Sequence, residues 1–132
     1  MMHLPVLVTL LTIIILSGVT ILTGYARMKY QIKAPATSGH PMFERAYRIQ
    51  MNTLEHAVLF LPTLWLAAQY GNPSWAGVLG LVWIVGRIWY PFAYWREPAS
   101  REKAFGLSML AWALLLLLAI YGVARLFWLA PM

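Results

Sequence analysis

The polar side chains best suited to chemistry lie together on one predicted helix, in the stretch FERAYRIQMNTLEH at residues 43–56. Arg48, Asn52 and Glu55 are four and three positions apart, which places them on one helical face. Lipid cannot satisfy a guanidinium, an amide or a carboxylate. We therefore expect this face to line a protein interface or a wet cavity.

Further polar residues accumulate where neighbouring apolar segments end or begin. Arg27 follows the first segment, Arg87, Tyr90 and Tyr94 lie late in the third, and Arg101 begins the fourth. The planar fork of arginine binds both oxygens of a carboxylate. The set therefore predicts a small anionic ligand with more than one carboxylate, and with an ammonium group for the one acidic side chain. Glutathione fits this description, and a lipid headgroup fits it as well.

The composition indicates a membrane protein. Of its 132 residues, 61% are hydrophobic and 11% are charged, whereas soluble domains are about 25% charged. We predict an all-α, integral membrane four-helix bundle that forms one domain over residues 1–132. The predicted spans are residues 4–26, 44–70, 75–95 and 101–127, and Ser74 is expected to cap the third helix.

The net charge of +6 is concentrated in two regions, residues 27–48 and 87–103, and among the basic residues only Arg125 lies elsewhere. Alternating spans bring both regions to one side, and the positive-inside rule places that side in the cytoplasm and both termini outside. The charge therefore indicates topology rather than nucleic-acid binding. We expect a bacterial inner-membrane protein that retains its first span, with the endoplasmic reticulum as the alternative location.

The sequence contains no cysteine, and His3, His40 and His56 do not have the spacing of metal ligands. We predict no metal site. Because the protein has no thiol, any thiol chemistry must use a thiol that a substrate brings.

The span-two motif resembles the signature of the MAPEG family, the membrane-associated proteins in eicosanoid and glutathione metabolism. The similarity is greatest to the microsomal glutathione transferase and leukotriene-C synthase branch. It extends through LFL at residues 59–61 and TLW at residues 63–65, and it includes Arg87, Tyr90, Tyr94 and Arg101 at matching spacing. The resemblance implies a four-helix bundle assembled as a homotrimer, with the active site between neighbouring subunits.

The resemblance also implies roles for individual residues. Arg101 matches the arginine that faces the thiol and stabilises the thiolate, and Arg27 and Gln50 would reach in from the adjacent subunit. The remaining glutathione-binding residues implied for the chain's own site are Arg48, Asn52, Glu55, His56, Tyr90 and Tyr94.

Two positions depart from the family pattern. His56 stands where the family has a tyrosine, which changes one ligand contact. Met28 stands where a second arginine is implicated in leukotriene synthesis. The second departure argues against leukotriene-C synthesis and favours a more general transferase.

We therefore predict a membrane-bound glutathione transferase that functions in detoxification. It would use glutathione as co-substrate and conjugate the glutathione thiolate to lipophilic electrophiles. With lipid hydroperoxides the same thiolate would act as a glutathione peroxidase. A non-catalytic protein that binds lipid or glutathione on the same fold is the alternative. A small four-span multidrug exporter is disfavoured, because such exporters use an acidic residue in the first span and residues 4–26 contain none.

Overall fold

The computed structural model describes residues 2–129, which form four long helices. These are α1 (His3–Tyr30), α2 (Pro41–Leu66), α3 (Pro73–Arg96) and α4 (Arg101–Leu129). A π-helical turn, Ala67–Gly71, follows α2, and a short 3₁₀ turn, Pro98–Ser100, precedes α4. No strand occurs within residues 2–129, and the predicted all-α architecture is confirmed.

Within residues 2–129, three helical segments are long and apolar enough to cross a membrane, namely His3–Tyr30, Pro73–Arg96 and Pro98–Leu129. The remaining helix, α2, has the length of a span but carries the polar face of residues 44–56. The chain therefore combines three lipid-compatible helices with one, α2, that carries a polar face. This is the composition of an integral membrane protein with a polar site.

Proline and a side-chain cap begin both α2 and α3. The His40 imidazole Nδ1 accepts a hydrogen bond from the Met42 backbone N–H at 3.1 Å. At α3 the cap is Asn72, whose Oδ1 accepts from the Trp75 N–H at 3.0 Å. The prediction that Ser74 caps α3 is wrong, because Pro73 has the fixed φ of a first helical residue and leaves the extended cap position to Asn72.

The helices alternate in direction, as side-chain contacts between them show. Trp65 Nε1 donates to Thr9 Oγ1 at 3.0 Å, joining the end of α2 to the start of α1. Phe60 of α2 and Trp83 of α3 stack with ring centroids 3.8 Å apart. Trp112 Nε1 of α4 donates to the α2 hydroxyl of Thr63 at 3.2 Å. The connection 67–72 therefore lies at one end of the bundle, and the connections 31–40 and 97–100 lie at the other end.

We call the end that carries residues 67–72 the apolar end, and the end that carries the connections 31–40 and 97–100 the basic end. At the apolar end α4 meets the π-helical turn at Gly122, where an added Cβ would lie 2.6 Å from the Gly71 nitrogen and closer still to the Tyr70 carbonyl. Gly77 is packed closely against the side chain of Leu4. Small residues allow helices in lipid to approach this closely.

At the basic end the last carbonyl groups of α3 are satisfied by side chains. Arg45 Nη1 of α2 donates to the Trp95 carbonyl at 2.9 Å. The Ser100 hydroxyl lies 2.7 Å from the carbonyl oxygens of Ala93 and Glu97. These contacts fix the end of α3 relative to α2 and α4, and they hold the surrounding polar residues in place.

Candidate active site

Three helices converge at the basic end around a cavity of about 300 Å³. Asn52 of α2, Tyr90 of α3 and Arg101 of α4 line it together with Glu102 and Phe105. The structure thus brings together three residues that are far apart in the chain and that the sequence assigned to one site. Their side chains present an amide, a phenol and a guanidinium to a ligand in the cavity.

The guanidinium of Arg101 is held on two sides. Its Nη1 donates to the Pro98 carbonyl at 2.8 Å, and its Cζ lies 4.8 Å from the centroid of the Tyr94 ring. Tyr94 in turn lies 5.8 Å from the ring of Tyr90. Tyr94 therefore joins the cavity through its contacts with two of the residues that line it.

Arg87 lies behind Asn52 and is fully buried, with no exposed surface. Its Nη2 donates to Asn52 Oδ1 at 2.9 Å and to Thr53 Oγ1 at 2.8 Å. The guanidinium carbon lies 4.5 Å from the Tyr90 ring centroid, within the range of a cation–π contact. Arg87 therefore contacts two residues that line the cavity, from the side away from it.

His56 takes part in the site through Phe105. The two rings meet edge to face with centroids 5.2 Å apart. Phe105 and Glu102 were not among the site residues predicted from the sequence. Phe105 lies four residues after Arg101, on the same helical face, so spacing from the arginine was a signal that could have identified it.

The other two residues of the predicted α2 face remain on the surface of the chain. Arg48 and Glu55 are exposed, one turn on either side of Asn52. Neither lines the cavity. Their common face with Asn52 places a guanidinium and a carboxylate at the rim of the site, where both remain accessible to a ligand or to another chain.

Arg27 and Gln50 are on the α1 side, away from the cavity. Arg27 Nη1 donates to the Ala36 carbonyl at 2.7 Å, and its guanidinium carbon lies 4.8 Å from the Phe43 ring centroid. Gln50 Nε2 donates to Thr20 Oγ1 at 3.3 Å. A single chain therefore does not bring these two predicted residues to the cavity.

The cavity has the chemistry of an anion site. Arginine and the asparagine NH₂ group donate hydrogen bonds, and a phenol hydroxyl donates or accepts. Within residues 2–129 no three histidine, cysteine, aspartate or glutamate side chains are close enough to hold a metal ion. The cavity lining thus provides hydrogen-bond donors and the positive charge of Arg101 to a bound molecule, with the Glu102 carboxylate beside them.

Comparison with known proteins places this arrangement in context. The MAPEG family profile matches residues 5–121. Human microsomal glutathione S-transferase 2 is 43% identical over 104 residues, which cover 79% of this chain and 71% of that protein. Leukotriene C4 synthase of Cavia porcellus is 37% identical over 116 residues, which cover 88% of this chain and 77% of that protein. An uncharacterized protein of Synechocystis sp. is 40% identical over 119 residues, which cover 90% of this chain and 87% of that protein.

The family match includes the polar motif of α2 and every residue that the sequence analysis assigned to the site. The resemblance found in the sequence is confirmed, and with it the membrane-embedded helical bundle. The chain belongs to the MAPEG family.

Proposed function

We propose that this protein is a membrane-bound glutathione transferase that conjugates glutathione to lipophilic electrophiles. The observation that carries the proposal is the cavity that Asn52, Tyr90 and Arg101 line at the basic end. The names of the relatives, a glutathione S-transferase and a leukotriene C4 synthase, support the same reaction class. The match at the level of a family leaves the electrophile to be identified by experiment.

Glutathione carries two carboxylates, one ammonium group and one thiol. Asn52, Tyr90 and Tyr94 provide the inner contacts of its binding site, with His56 behind Phe105. On the rim Arg48 would bind a carboxylate and Glu55 the ammonium group. Each charge of the ligand would then meet an opposite charge or a donor, which offsets the loss of its hydration.

Arg101 would stabilise the thiolate. A thiol with a pKa near 8.5 is only a few per cent ionised at pH 7. Lowering that pKa by about two units requires roughly 2.7 kcal/mol of preferential stabilisation of the anion, which one nearby guanidinium can supply in a partly dehydrated site. Arg101 is held by Pro98 and Tyr94, so its charge is already in place before the ligand binds.

The chemistry balances in both reactions. In conjugation the thiol proton goes to solvent, the thiolate forms a carbon–sulfur bond, and the electrophile loses its leaving group or takes up a proton after addition. In the peroxidase reaction two glutathione molecules are oxidised to the disulfide, while one hydroperoxide is reduced to an alcohol and water. Both reactions need the same thiolate.

We further propose that the protein acts as a homotrimer of single-domain subunits spanning residues 1–132. Arg27 and Gln50 contact residues of their own chain away from the cavity. Arg48 and Glu55 are exposed. A neighbouring copy that provides Arg27 and Gln50 would complete the site. Light scattering of the detergent-solubilised protein should give the mass of three chains, and a monomer that binds glutathione fully would contradict this proposal.

We propose a bacterial inner membrane as the location, with the basic end in the cytoplasm and both termini on the opposite side. Nine of the chain's ten basic residues lie in residues 27–48 and 87–103, all near the basic end. Cytoplasmic glutathione would then reach the cavity from the aqueous side, and lipophilic electrophiles would approach through the bilayer.

An ultraviolet difference titration with glutathione tests the function. We expect thiolate absorbance near neutral pH in the wild type and its loss in Arg101→Ala. The matched control is Arg96→Ala, which removes an exposed arginine near the same end and should leave the absorbance unchanged. Binding of glutathione without thiolate in the wild type would instead indicate a non-catalytic binding protein. Absence of binding would refute the proposed function.

A further inference from the structure

The hydrogen bonds around Arg87 have a fixed direction. A guanidinium only donates, so the Asn52 atom that lies 2.9 Å from Arg87 Nη2 must be the carboxamide oxygen. The Thr53 hydroxyl donates to the Ile49 carbonyl at 2.8 Å, which leaves its lone pairs to accept from the same Nη2 at 2.8 Å. Neither partner can reverse without losing a hydrogen bond.

This direction determines what Asn52 presents to the cavity. With its oxygen engaged by Arg87, the carboxamide has its NH₂ group available on the side of the cavity that it lines with Tyr90 and Arg101. An asparagine without such a partner could turn its amide and present either the oxygen or the NH₂ group. The hydrogen bond from Arg87 to the carboxamide oxygen excludes the orientation in which that oxygen faces the cavity.

Burying Arg87 is costly, which indicates that its side chain serves more than packing. The guanidinium is fully buried, and among residues 2–129 its Nε and Nη1 have no hydrogen-bond partner. The faces of Tyr90, at 4.5 Å, and of Trp83, at 5.9 Å, offset part of the lost hydration through cation–π contact. An apolar side chain would fill the same space without this cost.

We propose that Arg87 is a positioning residue for Asn52, and that the ligand atom which meets Asn52 is an acceptor oxygen of a carboxylate or carbonyl group. Arg87 itself does not reach the cavity and acts only through the amide. The identity of the ligand as glutathione rests on the proposed function. The orientation of the amide does not.

A double-mutant cycle in glutathione affinity tests the coupling between the two residues. We expect Arg87→Met and Asn52→Ala each to weaken binding by about tenfold, the value of one good hydrogen bond, and the double variant to be no weaker than either. A merely structural Arg87 would weaken binding equally in the Asn52→Ala background. That result would overturn the proposal.

Asn52→Asp tests the donor directly. The aspartate keeps a partner for Arg87 and so preserves the buried contact, but it presents an acceptor to the cavity instead of an NH₂ group. We expect it to weaken glutathione binding by more than Asn52→Ala does. Wild-type affinity in Asn52→Asp would overturn the claim that the ligand meets a donor here.

A measurement without ligand keeps the proposal independent of the proposed function. The chain contains two asparagines, Asn52 and Asn72, so selective ¹⁵N labelling gives two side-chain amide signals. We expect Arg87→Met to shift the Asn52 amide and to leave the Asn72 signal, at the other end of α3, unchanged, with Arg87→Lys intermediate. An unchanged Asn52 signal would overturn the proposal, and failure of the wild type to bind glutathione would overturn only the proposed function.

Discussion

The two ends of the bundle are built by different means. At the apolar end glycines allow close approach, with Gly122 against the backbone of the Tyr70–Gly71 turn and Gly77 against the side chain of Leu4. At the basic end the helices meet through long polar side chains, and between these chains lies a cavity. Close packing is the main stabilising interaction available to helices in lipid, since lipid is as apolar as their side chains.

The difference separates stability from binding. At the apolar end Gly122 and Gly77 are in close contact with their neighbours and lie away from the cavity at the basic end, so a substitution at these contacts should change the free energy of unfolding and not the affinity for glutathione. The basic end keeps donors apart around a cavity, which costs packing but provides recognition. Four substitutions test this separation, and they are given from the largest expected effect to the smallest.

Gly122→Ala should have the largest effect. The new Cβ would lie 2.6 Å from the Gly71 nitrogen, and a backbone neighbour cannot turn aside as a side chain can. We expect a loss of about 3 kcal/mol in the free energy of unfolding, measured by denaturation in detergent. Gly106→Ala in the same helix is the control, because nothing lies within 4 Å of its new Cβ. Equal stability of the two variants would contradict the close contact.

Arg101→Ala should have its main effect on the reaction rate. We expect conjugation near pH 7 to slow by about 30-fold, roughly 2 kcal/mol, because the thiol pKa returns to about 8.5. Since the thiolate fraction then rises with pH, the deficit should shrink between about pH 7 and 9. The rate–pH profile of the variant against wild type measures this. A deficit that stays constant with pH would mean that Arg101 has another role.

Asn72→Ala should lower the free energy of unfolding by about 1 kcal/mol, because the Trp75 N–H loses its cap. The Asn72 side chain lies at the apolar end, so glutathione affinity should not change. Ser74→Ala is the control and should have no measurable effect on thermal unfolding. A larger effect from Ser74→Ala would restore Ser74 as the cap.

Trp112→Phe should have the smallest effect. It removes the interhelical hydrogen bond to Thr63 and keeps most of the ring, and such bonds in membrane proteins contribute about 0.6 kcal/mol on average. Trp65→Phe, which removes the bond to Thr9, should cost a similar amount. Unfolding in detergent measures both. A change in glutathione affinity in either variant would contradict the separation between stability and binding.

The fold was largely readable from the sequence, because four apolar segments separated by short polar turns admit few arrangements in lipid. The spacing of Asn52 on α2 and the placement of Tyr90 and Arg101 at segment ends also led to residues that share one cavity. Spacing, however, predicts only which residues share a face of a helix. It does not predict which neighbouring helix packs against that face.

Contacts between helices therefore could not be obtained from spacing. Arg87 was grouped with the polar residues near the segment ends, yet its bond to Asn52 depends on the depth at which α2 and α3 cross. Arg27 contacts Ala36 in the connection after α1, and Gln50 contacts Thr20 of α1. No pattern within one segment indicates either contact. The same holds for Phe105, whose role depends on the ring of His56.

The outward surface of α1 makes the orientation of the protein open to direct measurement. Ile13 and Ile21 are exposed on this helix, and the chain has no native cysteine. A cysteine introduced at either position would be the single thiol of the protein and would carry a nitroxide without disturbing a packed contact. Paramagnetic broadening by oxygen or by a water-soluble nickel chelate would then give the immersion depth of each label, and thus the direction in which α1 crosses the bilayer.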